Sequence, residues 1–196
     1  MQRLASISGL VVGQRKEWGE ILTGFETKNR YAVSDLSGNR LYLAAETGGA
    51  ILLRWFLKAL RPFTIAVVGD DGQPALRIVR RFRFYFHRAE VLDAQGRLLG
   101  VIERRFSLLR RNYSVLGGSG EEMFQLFGPI LHPWTFRILK NGVDCGKISK
   151  KWSGLLKEGL TDADNFGVSF PADWDAKLKA VALGAVFLVD FVHFDR

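Results

Sequence analysis

The chain has 196 residues, 47% of them apolar and 12% aromatic, which is enough to fill the core of a single domain spanning 1–196 and excludes an intrinsically disordered chain. A formal charge of +8 predicts attraction to a polyanion, either an anionic phospholipid surface or a nucleic acid. One cysteine, Cys145, excludes an intramolecular disulfide framework and any cysteine-rich metal site.

The opening stretch MQRLASISGLVVGQRKEWGE has only a short apolar run between Ile7 and Val12, too weak for a secretory signal, and reads as an opening strand. From Phe25 to Lys151 short β-rich runs are punctuated by DLSGNR, GDDGQP, DAQGR, LGGSGEE and KNGVDCGK. Glycine and asparagine there supply the positive φ angles of tight turns, so these marks predict a ladder of antiparallel hairpins. Between two of them lies AILLRWFLKALR, in which Arg54, Lys58 and Arg61 form one basic stripe and Leu53, Trp55, Phe56, Leu57 and Leu60 cover the rest of a helical circumference. This segment suits a helix lying in a membrane interface, and equally a short element plugging the end of a barrel; Pro62 stops it either way.

Ten arginines stand between Arg77 and Arg111, against Glu90, Asp93 and Glu103. In RRFRFYFHR, strand alternation puts Arg81, Arg83, Tyr85 and His87 on one face and Phe82, Phe84 and Phe86 on the other. Arginine pairs recur at Arg104 with Arg105 and at Arg110 with Arg111, and pairing of these strands would join their outward arginines into one positive patch.

Toward the C-terminus, TDADNFGVSFPADWD carries four acidic side chains around an Asn-Phe-Gly turn. Taken alone it reads as a turn whose Val168 and Phe170 enter the core, with Asp173 or Asp175 capping a helix that starts at Ala176. The helix is apolar without interruption only from Ala180 to Val189, well short of the roughly 20 residues a membrane span needs. A helix that is apolar all round and cannot cross a bilayer must be buried in protein, which predicts a mainly β fold, a closed antiparallel barrel around a central C-terminal helix. Asp190 and His193, three apart, are expected to pair along one side of it.

No enzyme motif emerges. His87, His132 and His193 lack metal-ligand spacing, no glycine-rich loop ends in Lys-Ser or Lys-Thr, and nothing places a base beside Cys145, so the chain is read as a non-enzyme.

The stretch GKISKKWSGLLKEGLTDADNFGVSFPADWDAKLKAVALGAVFLVDFVHFD resembles the C-terminal signature of phospholipid scramblases. NRLYLAAET and LRPFTIAVVGDDGQPALRIVRRFR resemble upstream segments of the same family, so the resemblance covers about Phe25 to Phe194. It implies the Tubby C-terminal-like fold shared with LURP-one-related proteins, a twelve-stranded barrel around a hydrophobic C-terminal helix, and ATP-independent, calcium-responsive movement of phospholipids between leaflets. ILLRWFLKALRPF stands where the family's palmitoylated cysteines precede RPF, so no lipid anchor is expected there.

The resemblance also implies calcium binding in TDADNFGVSFPAD, with Asp162, Asp164, Asn165 and Asp173 as candidate ligands. Measured against a twelve-residue calcium loop, Phe166 fills a position that usually supplies oxygen and Asp173 replaces a longer glutamate, which predicts weak affinity of about 10⁻⁴–10⁻³ M. The competing expectation is a peripheral module that binds anionic lipid or phosphoinositide without moving it, through Arg54, Trp55, Lys58, Arg81, Arg83, Arg104 and Arg105. Both place the chain in the cytoplasm, peripherally associated with a membrane. Nucleic acid ranks behind the membrane surface as a partner, through base stacking on the arginine and aromatic mixture at 81–88.

Overall fold

The computed structural model describes residues 2–14, 29–47, 62–83, 86–107, 110–150 and 165–194. Twelve strands follow one another: β1 (Gly9–Gln14), β2 (Arg30–Asp35), β3 (Arg40–Glu46), β4 (Phe63–Gly69), β5 (Pro74–Arg80), β6 (Arg88–Asp93), β7 (Leu98–Arg104), β8 (Arg111–Gly117), β9 (Glu122–Gly128), β10 (Thr135–Lys140), β11 (Val143–Lys150) and β12 (Asn165–Ser169). A 3-10 turn at Gln2–Leu4 precedes them, and one helix, α1 (Ala176–His193), ends the chain. Each strand pairs antiparallel with its neighbours in sequence, and β1 with β12 closes the barrel, from Gly9 opposite Ser169 to Gly13 opposite Asn165. Mainly β, twelve-stranded and wrapped on a C-terminal helix, the fold is the one expected from the sequence.

The hairpin turns share a local cause. The N–H groups of Asp35, Gly69, Asp93 and Gly117 each donate to the carbonyl four residues ahead, while those of Gly38, Gly72, Gly96 and Gly120 donate back. All four of these latter glycines sit at φ between +75° and +88°, and each turn is flanked by a register shift in its ladder. This is the tight hairpin closed by a left-handed residue and a bulge. At the fifth turn Asn141 and Gly142 are both left-handed, as a two-residue turn requires.

Because every strand reverses, the five tight turns collect at one end of the barrel and the longer connections at the other. We call these the turn end and the wide end. The chain enters α1 from the turn end, where Asp175 caps it by accepting from the N–H of Leu178 at 2.7 Å, so α1 finishes at the wide end.

Inside the barrel α1 is enclosed: every residue from Lys179 to Val189 is buried, as is Phe191. Strand residues of one parity line the lumen against it, including Ile65, Val67, Ile78, Val91, Ile102, Val115, Phe124 and Ile138. Two glycines set how closely the layers approach. A Cβ on Gly100 would stand 2.8 Å from the Leu116 carbonyl and 3.0 Å from Val181, and one on Gly184 would overlap Val91 Cγ2. At the turn end the buried Lys179 ties the helix to its surroundings, donating from Nζ to the carbonyls of Ala5 (2.7 Å) and Ala172 (2.8 Å).

Two sequence expectations change. RRFRFYFHR is not one continuous strand: Arg80 ends β5, Arg88 begins β6, and Arg81, Phe82 and Arg83 are exposed outside any strand, while Phe84 and Tyr85 lie outside the described residues. The neighbouring strand β4 begins at Phe63, paired with Arg80, and the preceding Pro62 has no N–H with which to extend that ladder. Asp190 and His193 do not pair with each other either, since Tyr31 Oη donates to Asp190 Oδ2 (3.3 Å) and Tyr113 Oη bonds His193 Nε2 (2.8 Å). The AILLRWFLKALR segment lies outside the described residues apart from Pro62, which follows it.

Substituting Gly184→Val inserts a branched side chain where the helix meets Val91, Ile78 and Ile102. Overpacking of this kind costs about 1–3 kcal/mol, so urea denaturation should show a lowered midpoint with an unchanged slope.

Candidate functional site

At the wide end the lumen changes character. Beyond the apolar layers the inward parity brings Arg80 on β5, His87 before β6, Arg104 on β7, and Arg111 and Tyr113 on β8 around the last turn of α1, with His193 among them. Arg80 is buried and its Nη2 contacts His87 Nδ1 at 2.6 Å. Arg111 stacks its guanidinium over Phe136 at 4.6 Å and donates to the carbonyls of Pro133 (2.6 Å), Pro129 (3.2 Å) and His132 (3.3 Å), which fixes the β9–β10 connection. Lys150 stands over the rings of Phe166 and Phe194 at 5.6 and 5.1 Å. On the opposite side of the mouth, Gln14 Nε2 donates to Asn29 Oδ1 (3.3 Å) and Asn29 Nδ2 to the buried Glu46 (2.8 Å).

The cationic sector holds its histidines neutral. Burial, then the charges of Arg80 and Arg104, lower His87 to about 4. Burial, then Arg111, Arg104 and His87, lower His193 to about 3. Tyr113 is pushed well above its usual value by burial, against the pull of Arg104, Arg80 and Arg111, so its hydroxyl stays protonated. Neutral rings beside fixed guanidinium groups supply hydrogen bonds without adding charge. The sector is thus suited to receive negative charge rather than to exchange protons near neutral pH.

The predicted lipid-binding residues divide. Arg81 and Arg83 are exposed in the β5–β6 connection. Arg104 shares the inward parity of Gly100 and Ile102, whereas Arg105 turns outward and donates from Nε to Ser114 Oγ at 2.8 Å. The four arginines therefore share the wide end without forming the single outward sheet face expected from alternation. Arg54, Trp55 and Lys58 lie outside the described residues.

Of the calcium candidates, Asp162 and Asp164 also lie outside the described residues. Asn165 is buried at the start of β12, at the wide end, and Asp173 is exposed beyond the strand's other end. Four residue steps of extended strand span about 13 Å, so Asn165 and Asp173 do not share one ion. No cluster of three metal-ligating side chains occurs among the described residues.

Sequence reasoning placed Arg111 in an outward patch and missed that Arg80 and Arg111 turn into the mouth, and it missed the apolar residues of the connections. Phe106, Ile130 and Leu131 are 76%, 62% and 87% exposed, and Phe82, Phe86 and Trp134 are exposed at the same end. The segment GPILHPW carried a signal for this: prolines at 129 and 133 deny the run a strand, so Ile130 and Leu131 have no sheet face to fill.

A family model described as Scramblase matches residues 1–196. Phospholipid scramblase 1 of Mus musculus is 33% identical over 210 residues, covering 100% of this chain and 64% of that protein. Phospholipid scramblase 1 of Homo sapiens is 32% identical, with 65% of its length covered, and phospholipid scramblase 2 of Bos taurus is 32% identical, with 71% covered. The chain thus spans less than two thirds of the scramblase 1 proteins. An X-ray structure of the Arabidopsis thaliana protein AT5G01750 aligns with a TM-score of 0.53 at 13% identity, covering 96% of this chain and 95% of that one, a likeness of fold.

Both histidines have folded-state values below the usual 6.5, so the unfolded chain binds more protons as pH falls and stability declines with it from about pH 6.5 to about 4 for His87 and about 3 for His193. Thermal unfolding should give a lower Tm at pH 5 than at pH 7, and a His87→Asn/His193→Gln variant should show a smaller difference between the two.

Proposed function

We propose a function from one premise: the chain belongs to the scramblase family. On that premise it works at phospholipid membranes, held peripherally by anionic headgroups at the wide end of its barrel. One observation carries this reading. The connections at 81–87, 105–110 and 129–134 hold Arg81, Arg83, Arg105 and Arg110 and not one aspartate or glutamate, with Arg104 at the mouth behind them. An exposed arginine near an anionic leaflet contributes about 1 kcal/mol, so four together give a binding energy of about 4 kcal/mol before any apolar contact.

A second reading, ATP-independent movement of phospholipid between leaflets, is supported by the names of the relatives. Calcium responsiveness belongs with it. No helix among the described residues is long and apolar enough to cross a membrane.

Flotation with vesicles of phosphatidylcholine alone or with phosphatidylserine, each with calcium or chelator, tests the first reading. The protein should float with the anionic vesicles only, and an Arg83→Glu/Arg105→Glu variant should bind at least tenfold more weakly. Absence of flotation with every vesicle would sink it. In the same vesicles, protein-dependent loss of protection of inner-leaflet fluorescent lipid from dithionite would establish translocation.

A further inference from the structure

Eight large apolar side chains are exposed among the described residues, and six of them lie at the wide end: Phe82, Phe86, Phe106, Ile130, Leu131 and Trp134. They come from three connections that follow one another around the barrel, β5–β6, β7–β8 and β9–β10. Only Leu98 and Val143 are comparably exposed elsewhere, both beside tight turns. Phe86 has a left-handed backbone, φ +56°, a conformation unfavourable for a bulky side chain, and its ring is still left half in solvent.

Charge divides the same way. Among the described residues the β5–β6, β7–β8 and β9–β10 connections together hold four arginines and no acid, whereas at the turn end Asp70 is paired with Arg3 and Arg40, Asp93 with Arg97 and Glu121 with Lys177. An apolar arc with cations set between its members, facing away from the end where acids and bases are paired, complements one kind of surface: a phospholipid layer with anionic headgroups outside and hydrocarbon just below. Side chains projecting separately at 62–87% exposure reach past headgroups without forming the flat, continuous core of a protein interface.

Resting on the membrane-binding reading above, we infer that the protein docks with its barrel axis end-on, the wide end down, and that Phe106, Ile130 and Leu131 insert below the headgroups while Arg81, Arg83, Arg105 and Arg110 hold the phosphates. The turn end, where β1 begins and β12 leads into α1, faces water. Arg111 serves this surface by fixing the β9–β10 connection through its three carbonyl contacts, so that Ile130 and Leu131 are presented rather than folded back.

The test uses the 196-residue chain with Cys145→Ser and either Leu131→Cys or Val143→Cys, each carrying an environment-sensitive fluorophore, added to phosphatidylcholine/phosphatidylserine vesicles with or without quencher-bearing acyl chains. The label at 131 should shift to the blue and be quenched by the acyl-chain quencher, and the label at 143 should do neither. A Phe106→Ser/Leu131→Ser variant, altered only at exposed positions, should keep its Tm and float at least tenfold less, while Leu98→Ser should float as the parent does. Flotation with a silent label at 131, or with the label at 143 quenched instead, would overturn the docking face and leave membrane binding standing. Failure of the parent to float would remove membrane binding itself, and this inference with it.

Discussion

The rest of the structure depends on enclosing one apolar helix. From Ala180 to Val189 α1 has no polar side chain, so no face of it can be turned to water. A sheet packed on one side would cover only half of its circumference; a closed barrel covers all of it. Closure then sets requirements of its own. β1 must meet β12, neighbouring strands must be matched in length, and Gly100 and Gly184 must keep side chains out of the gap between helix and wall. Each fully buried Leu, Val or Phe of the helix contributes about 1.5–3 kcal/mol, so the layer between α1 and the lumen is the main apolar core of the chain.

Closure by consecutive hairpins also separates the two ends chemically. Tight turns need glycine or asparagine at fixed positions and acidic or amide caps, as where Asp93 accepts from the N–H groups of Gln95 and Arg97, both at 2.9 Å. These requirements leave the turn end little freedom. Connections at the wide end carry no such demand, and among the described residues the exposed aromatics stand there, beside Arg81, Arg83, Arg105 and Arg110. The helix finishes among them, so its last polar residues are held by the same wall: Asp190 by Tyr31 on β2, His193 by Tyr113 on β8. The cationic mouth and the end of the core are one layer.

Much of the fold was legible because its signals are local. Glycines at 38, 72, 96, 120 and 142 mark the turns, and the length of the run from 180 to 189 decides between spanning a bilayer and being buried. Alternation failed at 81–83, where arginine and phenylalanine alternate as in a strand but the neighbouring ladder stops at Pro62, a fact about a partner 19 residues upstream of Arg81. The mouth was unreadable for the same reason. That Arg80, Arg104 and Arg111 converge depends on register across β5 to β8, whereas each alone looks like an ordinary surface cation. Ile130 and Leu131 did carry a local signal, the bracketing prolines at 129 and 133 that deny the run a strand.

Enclosure of the helix also limits how this fold can deal with a bilayer. To release α1 into lipid, the chain would have to empty its lumen, expose the apolar lining of twelve strands, and break the bonds of Lys179, Asp190 and His193. Domains of this size are stable by only about 5–15 kcal/mol, far less than the sum of those losses, so release of the helix is equivalent to unfolding the barrel. A membrane would repay part of that for the helix but nothing for the lining, whose strands present polar groups outward. Any contact with lipid would therefore be made by surfaces already exposed, and among the described residues six of the eight exposed large apolar side chains stand at the wide end.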